Sequence, residues 1–191
     1  EKGSELLGGN AEAEFTYRLA NTEELKWLET ISQNISRIIE FRSMAKFVEG
    51  GTNERALTQV KAVDNEYPLI GNVQLVSGKS FKDVFRQPKS AVMESDLASR
   101  LGIDIGETFS LGLTKFVLRD IIQSSPDDAG TNFGFGPRTI VKSEDLLDSG
   151  LIAPGTLFTA KYRLLIEPFE NLDKLRALAK IKFENNGMRW R

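Results

Sequence analysis

The chain has 191 residues, 40% of them hydrophobic and 27% charged, which supplies one sizeable core or two small ones and excludes collagenous, low-complexity and disordered protein. Lys and Arg number 25 against 27 Asp and Glu, and a net charge of -2 leaves no footprint for nucleic acid. With no His and no Cys, the chain cannot build a Ser-His-Asp triad, a thiolate nucleophile, a CxxC redox pair or a His-based zinc site. The lack of Cys also fits an oxidising compartment. No apolar run exceeds three residues, whereas a membrane span needs about 20. The sequence opens on Glu1, without initiator Met or a basic-then-apolar leader, and reads as a piece of a longer chain.

Glu12 to Arg18 alternates, with Ala13, Phe15 and Tyr17 on one side and polar groups on the other, and predicts a half-buried strand. Asn21 three residues before Glu24 forms a capping-box pattern, and Leu25, Leu28 and Ile31 or Ser32 follow at helical spacing. Ile39, Phe41, Ser43, Ala45 and Phe47 alternate again, and Glu49 to Asn53 turns the chain into a strand over Ala56 to Val63. The first third therefore reads β-α-β-β.

The middle, from Tyr67 to Gly155, has short strands and two brief helices. One spans Glu94 to Leu101 and closes on Gly102; the other is capped by Ser143 and ends at Gly150. Phe109, Leu111 and Leu113, then Phe116 to Ile122, predict a meander or small barrel, and Ser124 to Pro137 reads as a loop. In the last third, Phe158 to Ile166 alternates. Asn171 can cap a helix carrying Leu172, Leu175, Leu178 and Ala179, and Met188 to Arg191 is extended after Asn185-Asn186-Gly187. The two ends thus predict an α+β fold. A split βαβ, ferredoxin-like lobe is formed by residues 1–66 and 156–191, with a smaller β-rich lobe, residues 67–155, inserted into it.

Candidate chemistry is sparse. Gly134-Phe135-Gly136 lacks the third Gly of a dinucleotide loop, and Pro137 stands where its helix would open. Asp127 and Asp128 fall short of a calcium loop, and no GxxxxGK[ST] is present. Glu94, Asp96, Asp104 and Glu107 are the carboxylates available for acid-base work, but they sit where helix starts and turns favour them. Loop rings are either tucked onto the core or offered to a partner; on the second reading Asn132, Phe133, Phe135 and Arg138 are the candidate partner contacts. Lys174, Arg176, Lys180, Lys182, Arg189 and Arg191 make a basic terminal segment, either a solvated face or one near anionic head groups. Asn34-Ile35-Ser36 matches a glycosylation sequon.

Three stretches in order, Leu57 to Gly71 (LTQVKAVDNEYPLIG), Ala91 to Gly112 (AVMESDLASRLGIDIGETFSLG) and Gly136 to Leu165 (GPRTIVKSEDLLDSGLIAPGTLFTAKYRLL), resemble the extracytoplasmic core domain of FtsX-like, MacB-type ABC transporter permeases. Leu6-Leu7-Gly8-Gly9 and Arg42-Ser43-Met44-Ala45 fit the same pattern. The resemblance implies a porter-like α+β lobe with a smaller β-rich lobe, held in the periplasm by a membrane-embedded permease of the bacterial inner membrane. It implies no catalysis and no cofactor in the domain itself, with ATP and Mg on a separate lipoprotein-release-type ATPase. It further implies mechanotransmission to an envelope cargo, and it leaves open a periplasmic esterase, lysophospholipase or lipoprotein as partner and the pairing of two permeases. The alternatives are a periplasmic lipid- or lipoprotein-binding module, with the ligand in the crevice between lobes, and then a carboxylate-based hydrolase in the same place.

Overall fold

A computed structural model describes residues 9–49, 52–126, 136–153, 155–167, 171–183 and 185–191. In chain order its elements are β1 (Ala11–Thr16), α1 (Thr22–Ile31), β2 (Asn34–Glu49), β3 (Thr52–Val63), β4 (Gln74–Leu75), α2 (Phe81–Val84) and β5 (Ser90–Glu94). There follow α3 (Ser95–Leu101), β6 (Thr108–Leu111), β7 (Thr114–Ser124), β8 (Arg138–Lys142), a 3₁₀ turn (Ser143–Leu146), β9 (Thr159–Leu165), α4 (Leu172–Phe183) and β10 (Arg189–Trp190). Strands dominate a mixed fold, and both ends have the predicted element order. Among the described residues no helix is long and apolar enough to cross a membrane.

The strands lie in the order β10-β1-β9-β2-β3-β8-β5-β7-β4, and β6 pairs with both β2 and β7. That second pairing closes the circuit β2-β3-β8-β5-β7-β6 into a six-stranded barrel, because β6 returns to β2 at Ala45 and Lys46. The predicted small barrel is therefore present, but two of its strands come from the first third of the chain. On the other side of β2 the sheet stays open through β9, β1 and β10. There β1 and β2 run parallel with β9 antiparallel between them, joined through α1; β9 and β10 run parallel with β1 between them, joined through α4.

The two regions meet in one long hairpin. Residues 34–40 of β2 pair with β9 in the open sheet, and residues 45–46 pair with β6 in the barrel, while β3 follows β2 from Thr52 to Val63. Alternation explains why one hairpin can serve both. Ile39, Phe41, Ala45 and Phe47 point to a single face and join one apolar cluster with Ala13, Phe15, Leu28 and Leu164 at one end and Phe109, Leu111, Phe116 and Leu118 at the other.

Helix α1 starts where predicted. Asn21 Oδ1 accepts from Glu24 N–H at 2.8 Å and Glu24 Oε2 accepts from Asn21 N–H at 2.8 Å, a complete capping box. Trp27 on this helix meets Phe183 of α4 at 5.3 Å and Trp190 of β10 at 5.8 Å, both edge-on, which fastens the two helices and the last strand together. Helix α3 ends at Gly102, in the left-handed region at φ 66°, as its sequence predicts. The opposite face of β2, β3, β8 and β5 carries Ile38, Val63, Ile140 and Val92 under a lid of Tyr67, Val73, Phe81 and Phe85.

Three local expectations are corrected. Tyr17 does not share the buried side of β1, because the strand stops at Thr16 and Tyr17 adopts φ 63°, which turns its ring out to 62% exposure. Glu12 and Glu14, expected to be solvated, are 1% and 7% exposed; Glu12 is paired with Arg163 directly across on β9. Ser143 is the first residue of its 3₁₀ turn and not the cap, and Lys142 precedes it without a side-chain capping bond.

Candidate functional site

Of the four candidate partner contacts, Asn132, Phe133 and Phe135 lie outside the described residues, as do Asp127, Asp128 and Gly134 of the same loop. Arg138 opens β8. Its backbone N–H donates to Glu94 Oε2 at 2.6 Å, its Nη2 to Glu94 Oε1 at 2.8 Å and its Nη1 to Ser125 Oγ at 3.2 Å. The guanidinium therefore braces the last residue of β5 against the end of β7, with only 16% of its side chain exposed.

The four carboxylates named as acid-base candidates do not share one site. Glu94 is held by Arg138, and Glu107 Oε1 accepts from Asp104 N–H at 2.9 Å within one turn. Glu107 also lies beside Glu49 at the end of β2; the shared hydrogen bond and like charge push the Glu49 carboxyl above its ordinary range. Among the described residues no group of three or more Asp and Glu is placed to hold a metal. In the basic segment, Lys182 reaches Glu23 at 3.9 Å, and Arg189 and Arg191 reach Glu14 at 3.7 and 3.6 Å, so half of it pairs locally. Asn34 of the sequon is exposed at the first position of β2.

The feature best placed to act is the junction of the chain's first and last strands. Glu12 N–H donates to the Arg191 carbonyl and Arg191 N–H to the Glu12 carbonyl, both at 2.9 Å, so β1 and β10 lie side by side at one margin of the open sheet. Behind them stands a charged sheet face, with Glu12 against Arg163 and Lys161 Nζ 2.8 Å from Glu40 Oε2. From this margin the sheet runs through β9 to the long hairpin and so to the barrel.

A second feature is a cleft of about 420 Å³ between α1 and the open sheet. Leu25, Glu29 and Ser32 line it at i, i+4 and i+7 of α1 and just beyond; Ile35 and Arg37 line it from alternate positions of β2. Tyr162 of β9 stands opposite Arg37 in register, and Asp64 follows β3 on the other side. Asp64 is occupied: Oδ1 accepts from Ser36 Oγ at 2.9 Å and Oδ2 from Arg37 N–H at 2.7 Å. Arg37 Nε is buried without a hydrogen-bond partner. Sequence reasoning missed this site, although one signal was visible: Arg37 interrupts the apolar row Ile35, Ile39 and Phe41 on a single strand face.

Two buried carboxyls, one at the start of α1 and one in the 3₁₀ turn after β8, have shifted acidities. Burial alone would raise the Glu24 carboxyl, but hydrogen bonds from Arg18, at 2.7 and 2.8 Å, and from Asn21 N–H hold it below the usual carboxylate range. Burial pushes the Asp145 carboxyl up, against the opposing hydrogen bond from Lys89 N–H.

Residues 3–176 match the MacB-like periplasmic core domain family. Over 138 residues, 72% of this chain, the sequence is 27% identical to the ABC transporter permease YbbP of Escherichia coli K12, of whose length the match covers 16%. The fold is similar to the extracellular domain of the ABC-type transporter YknZ from Gram-positive bacteria, at a TM-score of 0.60 and 10% identity over 95% of this chain and 98% of that one. It is also similar to the periplasmic region of MacB from Actinobacillus actinomycetemcomitans, at a TM-score of 0.56 and 11% identity over 97% and 89%.

Proposed function

Because this chain belongs to the MacB-like periplasmic core domain family, and so is the periplasmic domain of an ABC transporter permease, we propose that it works as a non-enzymatic coupling module. In this reading a cytoplasmic ATPase, carrying ATP and Mg, moves the transmembrane helices of the parent permease, and the domain turns that movement into export or release of an envelope cargo. An esterase or lipoprotein on the periplasmic side and pairing of two permeases belong to the same proposal.

The observation that carries it is the pair of backbone hydrogen bonds between Glu12 and Arg191. Segments continuing from these two strands would leave the domain at one place, so that a displacement there acts on one margin of one sheet. The strand order β10-β1-β9-β2, with both helical crossovers, supports the ferredoxin-like reading of this lobe. The shared β2–β3 hairpin supports rigid transmission from that lobe, residues 1–66 and 156–191, to the inserted one, residues 67–155, since a paired ladder with a common apolar cluster deforms far less readily than a linker.

Flexible Gly-Ser linkers placed before Asn10 and after Arg191 in the full-length permease test this directly. Coupling requires that ATP hydrolysis by the assembled transporter persist while transport falls at least tenfold. Transport that survives both linkers at its original rate contradicts the proposal.

A further inference from the structure

The cleft between α1 and the open sheet brings together two opposite charges that satisfy neither each other nor any described neighbour. Glu29, on the exposed side of α1, takes part in no hydrogen bond or ion pair among the described residues. Arg37 donates from its backbone to Asp64, but among the described residues its guanidinium has no partner, and Nε is shut away from solvent. A buried unpaired N–H is costly, and natural structures rarely keep one without use. The nearest acid cannot serve, because Asp64 already accepts from Ser36, from Arg37 N–H and from Glu66 N–H at 3.1 Å.

The charge balance of the lining decides which ligand fits. With Arg37 against Glu29 and Asp64, a simple anion would meet two carboxylates and a simple cation would meet the guanidinium. A group that carries both charges meets neither objection. Leu25, Ile35 and the Tyr162 ring supply an apolar wall in the same cleft, and 420 Å³ is ample for a small head with an apolar portion.

We propose that this cleft binds a zwitterion, its oxyanion on the Arg37 guanidinium, its ammonium facing Glu29, and an apolar part against Leu25, Ile35 and Tyr162. Two sources carry that chemistry, a free apolar amino acid and the head of an ethanolamine phospholipid. The inference rests on the cleft alone and is independent of the coupling reading.

The test is calorimetric titration of the 191-residue chain with L-leucine and with lauroyl-lysophosphatidylethanolamine held below micelle formation. Laurate and dodecylamine serve as the anion-only and cation-only controls. The expected result is saturable binding of at least one zwitterion, at least tenfold tighter than either control, with a shift of the Arg37 Nε–H resonance. Glu29→Gln, at an exposed helix position that keeps the fold, weakens that binding at least tenfold; Arg37→Ala does the same. Saturation by leucine identifies a free amino acid, and saturation by the lysolipid identifies a lipid head group. If neither zwitterion saturates, if a control binds as tightly, or if Glu29→Gln leaves the affinity unchanged, the proposal is wrong.

Discussion

The open sheet and the barrel share strand β2 and one apolar cluster, yet they cover their second faces by different means. Behind β3, β8 and β5, the barrel side is sealed by Tyr67, Val73, Phe81 and Phe85, with Phe81 and Phe85 4.6 Å apart. Behind β1 and β9, the open sheet buries Glu12 against Arg163 and sets Glu40 against Lys161. Apolar burial is insensitive to protonation, and its loss scales with volume. A buried ion pair contributes little net stability while intact and costs heavily when one partner is removed. The sheet margin that carries β1 and β10 therefore depends more on paired charge, and the face behind β3, β8 and β5 more on apolar packing.

Truncating a core ring in the barrel should cost the most stability. Phe116 is fully buried, its ring 6.2 Å from that of Phe109, and Phe116→Ala should cost about 3–5 kcal/mol. Because β2 belongs to both regions and its apolar face joins one cluster with each, calorimetry should still show one transition, shifted as a whole. Two resolved transitions would show that the hairpin does not unite them.

On the ionic face, Arg163→Ala leaves Glu12 buried without its cation and should cost about 3 kcal/mol or slightly more by urea denaturation. The double variant Glu12→Leu with Arg163→Leu should regain most of that loss. A single variant as stable as the parent would remove the distinction between the two faces.

A smaller effect belongs to the start of α1. Asn21→Ala should cost about 1 kcal/mol through the lost cap. The Glu24 carboxyl, held below its unfolded value of about 4.3, contributes fully above that pH, and its contribution is lost as pH falls through the lower folded-state value. Glu24→Gln should therefore be less stable near neutrality and lose less on acidification; acid titration of both proteins checks the sign. The smallest effect is expected at the barrel's outer turn, where Leu113 is 84% exposed and Leu113→Ser should change stability by less than about 0.5 kcal/mol.

The ends of the chain were legible because their periods differ cleanly. Alternation at Ala13 and Phe15, helical spacing at Leu25 and Leu28, and the cap at Asn21 each have a local cause. The barrel was legible only in part. β5 and β8 are buried on both faces over most of their length, so they present short apolar runs without alternation, and the contribution of β2 depends on a pairing with β6 far along the chain. Burial of Glu12 was hidden for the same reason, since its partner Arg163 lies near the other end. The cleft needs three elements in place before it exists, and only Arg37 within its apolar row hinted at it. Function came from the ordered resemblance of three segments, because no residue constellation in the chain announces a chemistry.

If the domain couples as proposed, it moves as one body when the transporter binds nucleotide. Pulsed electron resonance on the full-length permease with its ATPase measures this with spin labels at Leu113→Cys and Leu178→Cys, both exposed and on opposite regions, and a third at the outer end of a transmembrane helix. ATP should leave the distance between the two domain labels unchanged while shifting both relative to the membrane label by several ångströms. A domain that stays still relative to the membrane, or one whose barrel and open sheet separate, would contradict the claim.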